Sequence, residues 1–101
     1  MNLTTSILDN VAVIRVWGRF DFSMIHAFRA ELKSALEHSE VGEIRVDLGG
    51  VEYMDSSALG SLLVARDESK AAGKTVSLSG ATAAVKQVLD SAHFDKLFAY
   101  K

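Results

Sequence analysis

The chain has 101 residues, 49% of them hydrophobic and 24% charged, with a formal net charge of -2. That length builds one domain around one core, and the balance is globular rather than disordered. No basic block is present to follow a phosphate backbone, which argues against direct nucleic-acid binding. Cysteine is absent, which excludes disulfides, thiolate catalysis and a Cys-based zinc site, and fits a reducing compartment. The opening MNLTTSILDN lacks the basic and apolar regions of a signal peptide. No stretch approaches the roughly 18 consecutive apolar residues that span a bilayer. The expectation is one cytoplasmic domain over residues 1–101, without membrane insertion.

With no proline available, turns fall to Gly, Asn, Asp and Ser. Residues 3–8 form a short first strand that ends at the two-residue turn signal Asp9-Asn10. The run Val11 to Trp17 is the second strand of that hairpin, with Val11, Val13 and Trp17 on one side, Arg15 between them, and Gly18 as its end. From Ser23, which can cap a helix, Ile25, Phe28, Leu32, Ala35 and Leu36 recur at helical spacing, with an end near His38-Ser39.

Glu43 to Leu48 alternates as a half-buried strand, and Gly49-Gly50 breaks it, leaving Val51 and Tyr53 as apolar contacts in the approach to the next element. A second helix runs from about Ser56 to Ala72, with Leu59, Leu62 and Leu63 on its buried side and Gly73 as a stop. Thr75 to Ser79 is another strand. Thr82 to Ser91 is a third helix, with Val85, Val88, Leu89 and Ala92 as its stripe. The apolar tail Phe94 to Tyr100 docks as a short helix, a strand, or one of each. Strands alternating with helices after a hairpin imply right-handed crossovers and a largely parallel sheet.

The stretch VDLGGVEYMDSSALGSLLVARDESKAAGK carries the chemistry. Asp55-Ser56-Ser57 opens a helix, where unpaired N–H groups and partial positive charge can accept a cap or tolerate a phosphate. The small residues Ser56, Ser57, Ala58, Gly60 and Ser61 leave that end open to another protein. The plainer reading makes the Asp and Ser simple caps and the small residues a packing device.

YMDSSALGSLL resembles the signature of STAS domains in anti-anti-sigma factors, where Asp-Ser-Ser-Gly-Leu-Gly begins the second helix. Gly18-Arg19-Phe20-Asp21 resembles the family's Gly-x-hydrophobic-Asp element, and GKTVSLSGATAAVKQVLDSAHFDKLFAY resembles its strand, helix and Phe-containing tail. The resemblance implies an α/β STAS fold: a mixed, mostly parallel sheet with an N-terminal hairpin and helices packed on it. It implies a non-enzymatic bacterial regulator, an anti-sigma factor antagonist controlled by phosphorylation of Ser56. Ser57 would support the helix start, Asp55 would shape the phosphoacceptor loop, and Asp21 would contribute to partner recognition. Asp21, Asp55, Ser56, Ser57 and Ala58 are thus the expected partner-binding residues, although Asp21 also reads as a solvated cap. Ala58 stands where the family commonly has glycine, and Arg19 where it is often acidic, so partner specificity can differ.

The implied partners are an anti-sigma factor that is a serine-protein kinase and a PP2C-type phosphatase, with the chain a monomer or weak dimer. The rival implication is a constitutive STAS scaffold subunit of a transport or stress-signalling complex, in which Ser56 only caps the helix. No metal or cofactor is expected, because His26, His38 and His93 are scattered without a second ligand at useful spacing. There is no Gly-x-Ser-x-Gly elbow, and Gly49-Gly50 does not complete a phosphate-binding loop. Trp17, Phe20 and Phe22 read as core and rim packing.

Overall fold

The computed structural model describes residues 2–101. Strands β1 (Leu3–Leu8) and β2 (Val11–Phe20) form an antiparallel hairpin. Its turn places Asp9 and Asn10 at φ 53° and 67°, the mirror-image geometry whose twist matches the strands and which Asn and Asp tolerate. A 3-10 turn at Phe22–Met24 leads into α1 (Ile25–Leu36), followed by β3 (Glu43–Met54) and α2 (Ser56–Ala71). Then come β4 (Thr75–Ser79), α3 (Ala83–Ser91), a 3-10 turn at Phe94–Lys96 and β5 (Ala99–Tyr100). The apolar tail therefore supplies one of each element. The sheet order is β1-β2-β3-β4-β5, and the three pairs after the hairpin are parallel.

One face of this sheet is the core. Ala12, Ile14 and Val16 of β2 are fully buried, as are Ile44, Val46 and Leu48 of β3. The register sets Ile14 beside Val46 and Val46 beside Leu78. Phe28 and Leu32 of α1, Leu62 and Ala65 of α2, and Val85 and Leu89 of α3 close over that face in a single cluster. Each such Leu, Ile or Phe side chain contributes about 1.5–3 kcal/mol by leaving water. Two side chains of the same sheet face reach up to the helices: Thr5 donates to Glu31 at 2.8 Å, and the Tyr100 hydroxyl donates to Asp90 at 3.0 Å.

The opposite face is polar and uncovered. Arg15 pairs with Asp47 at 3.1 Å, and Glu43 accepts from the buried Ser77 hydroxyl at 2.6 Å and from Arg45 at 3.0 Å. Val11, Val13 and Trp17 lie half-buried on this outer face, so the core takes the other parity of β2.

Two strands outrun their glycines. Gly18 adopts φ 79° at a register irregularity and β2 continues to Phe20. β3 passes through Gly49-Gly50 to Met54, because Gly50 provides room rather than a stop: a Cβ there would lie 2.6 Å from the Trp17 Cβ. Ser23 does not cap α1: Asp21 caps the 3-10 turn that precedes it, α1 itself begins at Ile25 without a side-chain cap, and the helix ends at Leu36. Leu63 and Val88 are 38% and 39% exposed, outside the core their helical stripes suggested.

Candidate functional site

The parallel pairing of β2 and β3 brings Phe20 beside Met54 at the end of both strands. The two chains then leave the sheet together, and the Asp55 N–H donates to the Phe20 carbonyl at 3.3 Å. Asp21 and Asp55, separated by a whole helix and strand in sequence, thereby become neighbours. Both do the same local job. Asp55, with extended backbone at φ -108° and ψ -176°, accepts the Ala58 N–H at 3.1 Å and caps α2. Asp21 accepts the Ser23 N–H at 3.1 Å and the Ser23 hydroxyl at 2.6 Å, which fixes the 3-10 turn before α1.

With the cap made by Asp55, Ser56 is the first residue of α2 and is exposed. Its hydroxyl sits where the first N–H groups of a 16-residue helix project positive potential, and it is not needed to start that helix. Ser57 is half-buried and lines a shallow groove between α1 and α2 with Ile25, Arg29, Gly60, Ser61 and Val64. Ala58, expected among the partner-binding residues, is instead fully buried and belongs to the core, so it has no surface to offer a partner.

Asp21 is more occupied than exposed. Its side chain is only 18% accessible, while that of Arg19, whose Nε lies 3.5 Å from the Asp21 carboxylate, is 67% accessible. The Ser23 hydroxyl first, then the Ser23 N–H and Arg19, hold the Asp21 carboxyl below its usual range against a partial loss of solvent. Arg19 also stacks over the Tyr53 ring, 4.2 Å from its centre, on the residue it faces across the β2–β3 pair. Phe22 is 71% exposed and Tyr53 is 44% exposed, whereas Phe20 is wholly core. The rim of the site therefore presents a cation and two aromatic rings. Phe20 and Phe22, expected together as core and rim packing, part company here, and the signal that separates them is the Asp21 cap that turns the chain between them.

Elsewhere, no group of three or more His, Cys, Asp or Glu side chains is placed to hold a metal ion among the described residues. No helix among them is long and apolar enough to cross a membrane.

Residues 3–99 match a protein-family model described as "Mlab, STAS domain". A STAS-domain containing protein of Pseudomonas aeruginosa is 37% identical over 87 residues, covering 84% of this chain and 82% of that protein. An anti-sigma F factor antagonist of Lysinibacillus sphaericus is 35% identical over 68 residues, covering 66% of this chain and 58% of that protein. Among solved structures, unphosphorylated SpoIIAA, an anti-sigma factor antagonist, superposes with a TM-score of 0.77 at 21% identity, covering 98% of this chain and 86% of the other. The phosphorylated form of the Bacillus protein superposes with a TM-score of 0.76 at 20% identity over 98% of this chain and 90% of that one. A family match over nearly the whole chain, a relative 37% identical over most of both chains and a shared fold agree: the chain belongs to the STAS-domain family.

Proposed function

We propose that this protein is an anti-sigma factor antagonist that works as a partner switch controlled by phosphorylation of Ser56. The observation that carries the reading is the division of labour at the start of α2, where Asp55 makes the cap and the exposed Ser56 hydroxyl is left over for chemistry. The similarity to an anti-sigma F factor antagonist, and to SpoIIAA in two phosphorylation states, supports the same conclusion. The rival scaffold reading gives Ser56 the task of capping the helix, and Asp55 already performs that task.

In the unmodified state the surface formed by Ser56, Ser57 and the Asp21 turn binds a cytoplasmic anti-sigma factor with serine-kinase activity, and its sequestration frees the sigma factor. Phosphorylation of Ser56 adds about -1.5 to -2 charge at neutral pH. Within the domain that charge meets the favourable end of α2, so the fold persists. At the interface it is bulk and an unpaired charge to desolvate, which costs several kcal/mol, or about two or more decades of affinity. A PP2C-type phosphatase restores the hydroxyl. The chain supplies the acceptor and does no catalysis of its own.

The test is phosphosite mapping by mass spectrometry after incubation with the cognate anti-sigma kinase, with binding measured before and after. Phosphate on Ser56 and a loss of binding of about 100-fold are expected. Phosphate on Ser57, or unchanged binding by the Ser56-phosphorylated form, overturns the reading.

A further inference from the structure

β1 is the long open edge of the sheet, since it pairs with β2 on one side and ends the strand order. Natural edge strands are usually guarded by a charge, a proline, a bulge or very short length. Here the edge is the six residues Leu3-Thr4-Thr5-Ser6-Ile7-Leu8, which include no charged residue and no proline, and their pairing with β2 is regular throughout. The left-handed Asp9-Asn10 turn holds this strand rigidly in register. A two-residue turn makes Leu8 and Val11 the bonded pair that closes the hairpin, so by alternation Leu3, Thr5 and Ile7 direct their N–H and C=O groups to the free side. Ile7 and Leu8 are 40% and 72% exposed beside those groups.

We propose that β1 is a homodimer interface, in which two copies pair their β1 strands antiparallel about a two-fold axis at Ser6. Two features favour a second copy over a foreign strand. The segment is uncharged, so identical strands meet without repulsion, and a net charge of -2 on each chain adds little. The pairing also closes, because the opposite edge of the sheet is the two-residue β5, which offers little for further growth. The axis falls at Ser6 because that register sets Leu8 opposite Thr4 and Ile7 opposite Thr5 of the other copy. Both exposed aliphatic side chains then gain a β-branched neighbour. A Thr5-centred register would leave Leu8 opposite Asn2, beyond the facing strand. Ser56 lies past the ends of β2 and β3, away from the β1 edge, so one dimer presents two Ser56 surfaces.

Sedimentation equilibrium of the purified chain over a range of concentrations reads the proposal directly. The expected limiting mass is twice the 10.9 kDa of one chain, with Ser6→Lys, a charge placed on the axis, shifting the midpoint of dissociation at least tenfold upward while the circular dichroism is kept. Because the chain has no cysteine, Ser6→Cys supplies a single thiol, which should form a dimer disulfide on mild oxidation, while Lys101→Cys, at the far edge, should not. This second variant locates the axis even if Ser6→Lys fails to fold. A monomer at every concentration overturns the proposal, as does a dimer that is indifferent to Ser6→Lys or does not crosslink through Ser6→Cys.

Discussion

The Asp55 N–H donates to the Phe20 carbonyl at 3.3 Å, and this one bond ties the start of α2 to the end of β2. Beyond it, two aspartates that are distant in sequence stand together, each capping the element that follows it. The surface around Ser56 is thus assembled from backbone and caps before any partner arrives. Under the proposed function, a partner meets a preformed rim rather than a loop that must first be ordered.

Asp55 and Ser56 should separate cleanly in stability. Asp55→Ala removes the α2 cap and is expected to cost about 0.5–2 kcal/mol. Ser56→Ala removes an exposed hydroxyl outside the cap and should change stability by less than about 0.5 kcal/mol. Urea denaturation of both variants measures the difference, and equal losses would mean that Ser56 shares the cap.

Asp21 should behave as a structural cap with a titration signature. Because folding depresses its carboxyl below the ordinary aspartate value of 3.8, its contribution is present above that pH and is lost as pH falls through the lower folded midpoint. Ser23→Ala removes the strongest of its hydrogen bonds, so the carboxyl midpoint followed by NMR should rise. An unmoved midpoint would show that Ser23 is not what holds the carboxylate.

Tyr100 should titrate unusually high. Burial, then its hydrogen bond to Asp90 and the charges of Asp90 and Asp95, push its hydroxyl up to about 12 from the ordinary tyrosine value of 10.0. The stabilisation is therefore complete below about pH 10 and disappears as pH rises through about 12. In a Tyr53→Phe background Tyr100 is the sole tyrosine, and its ultraviolet titration reads the midpoint; Asp90→Asn should bring it down.

Two glycines should give opposite results. Gly50→Ala drives a Cβ to within 2.6 Å of the Trp17 Cβ, and the crowding is expected to cost about 1–3 kcal/mol. At Gly60, in the interior of α2, a Cβ would meet nothing within 4 Å, so alanine should stabilise the helix by about 0.5–1 kcal/mol. Thermal melts of the two variants should move in opposite directions.

Periodicity located the helices and strands, because the steps from Phe28 to Leu32 and from Val85 to Leu89 and the alternation of Ile44, Val46 and Leu48 correspond to real burial. It could not settle which side of β2 faces the core. Val11, Val13 and Trp17 compete with Ala12, Ile14 and Val16, and both sets are apolar; only the pairing with β3 and the helices above it decides. The glycines at 18, 49 and 50 looked like ends because local rules treat glycine as a breaker, whereas here Gly50 makes space for a side chain on the neighbouring strand. At the site, Asp55-Ser56 before an apolar stripe was legible as a helix start. The exposure of Phe22 and Tyr53, the stacking of Arg19 and the burial of Ala58 depend on the β2–β3 register, which no single segment contains.

The strands lie in space in the order in which the chain presents them. During synthesis the hairpin can therefore close first, and each later strand arrives to find its neighbour already at the growing margin. No strand has to be threaded between two that are already paired, so assembly proceeds by accretion rather than by insertion. The last step adds only the two residues of β5, so nearly all of the sheet, and the whole of the Ser56 region, is in place before the terminus docks.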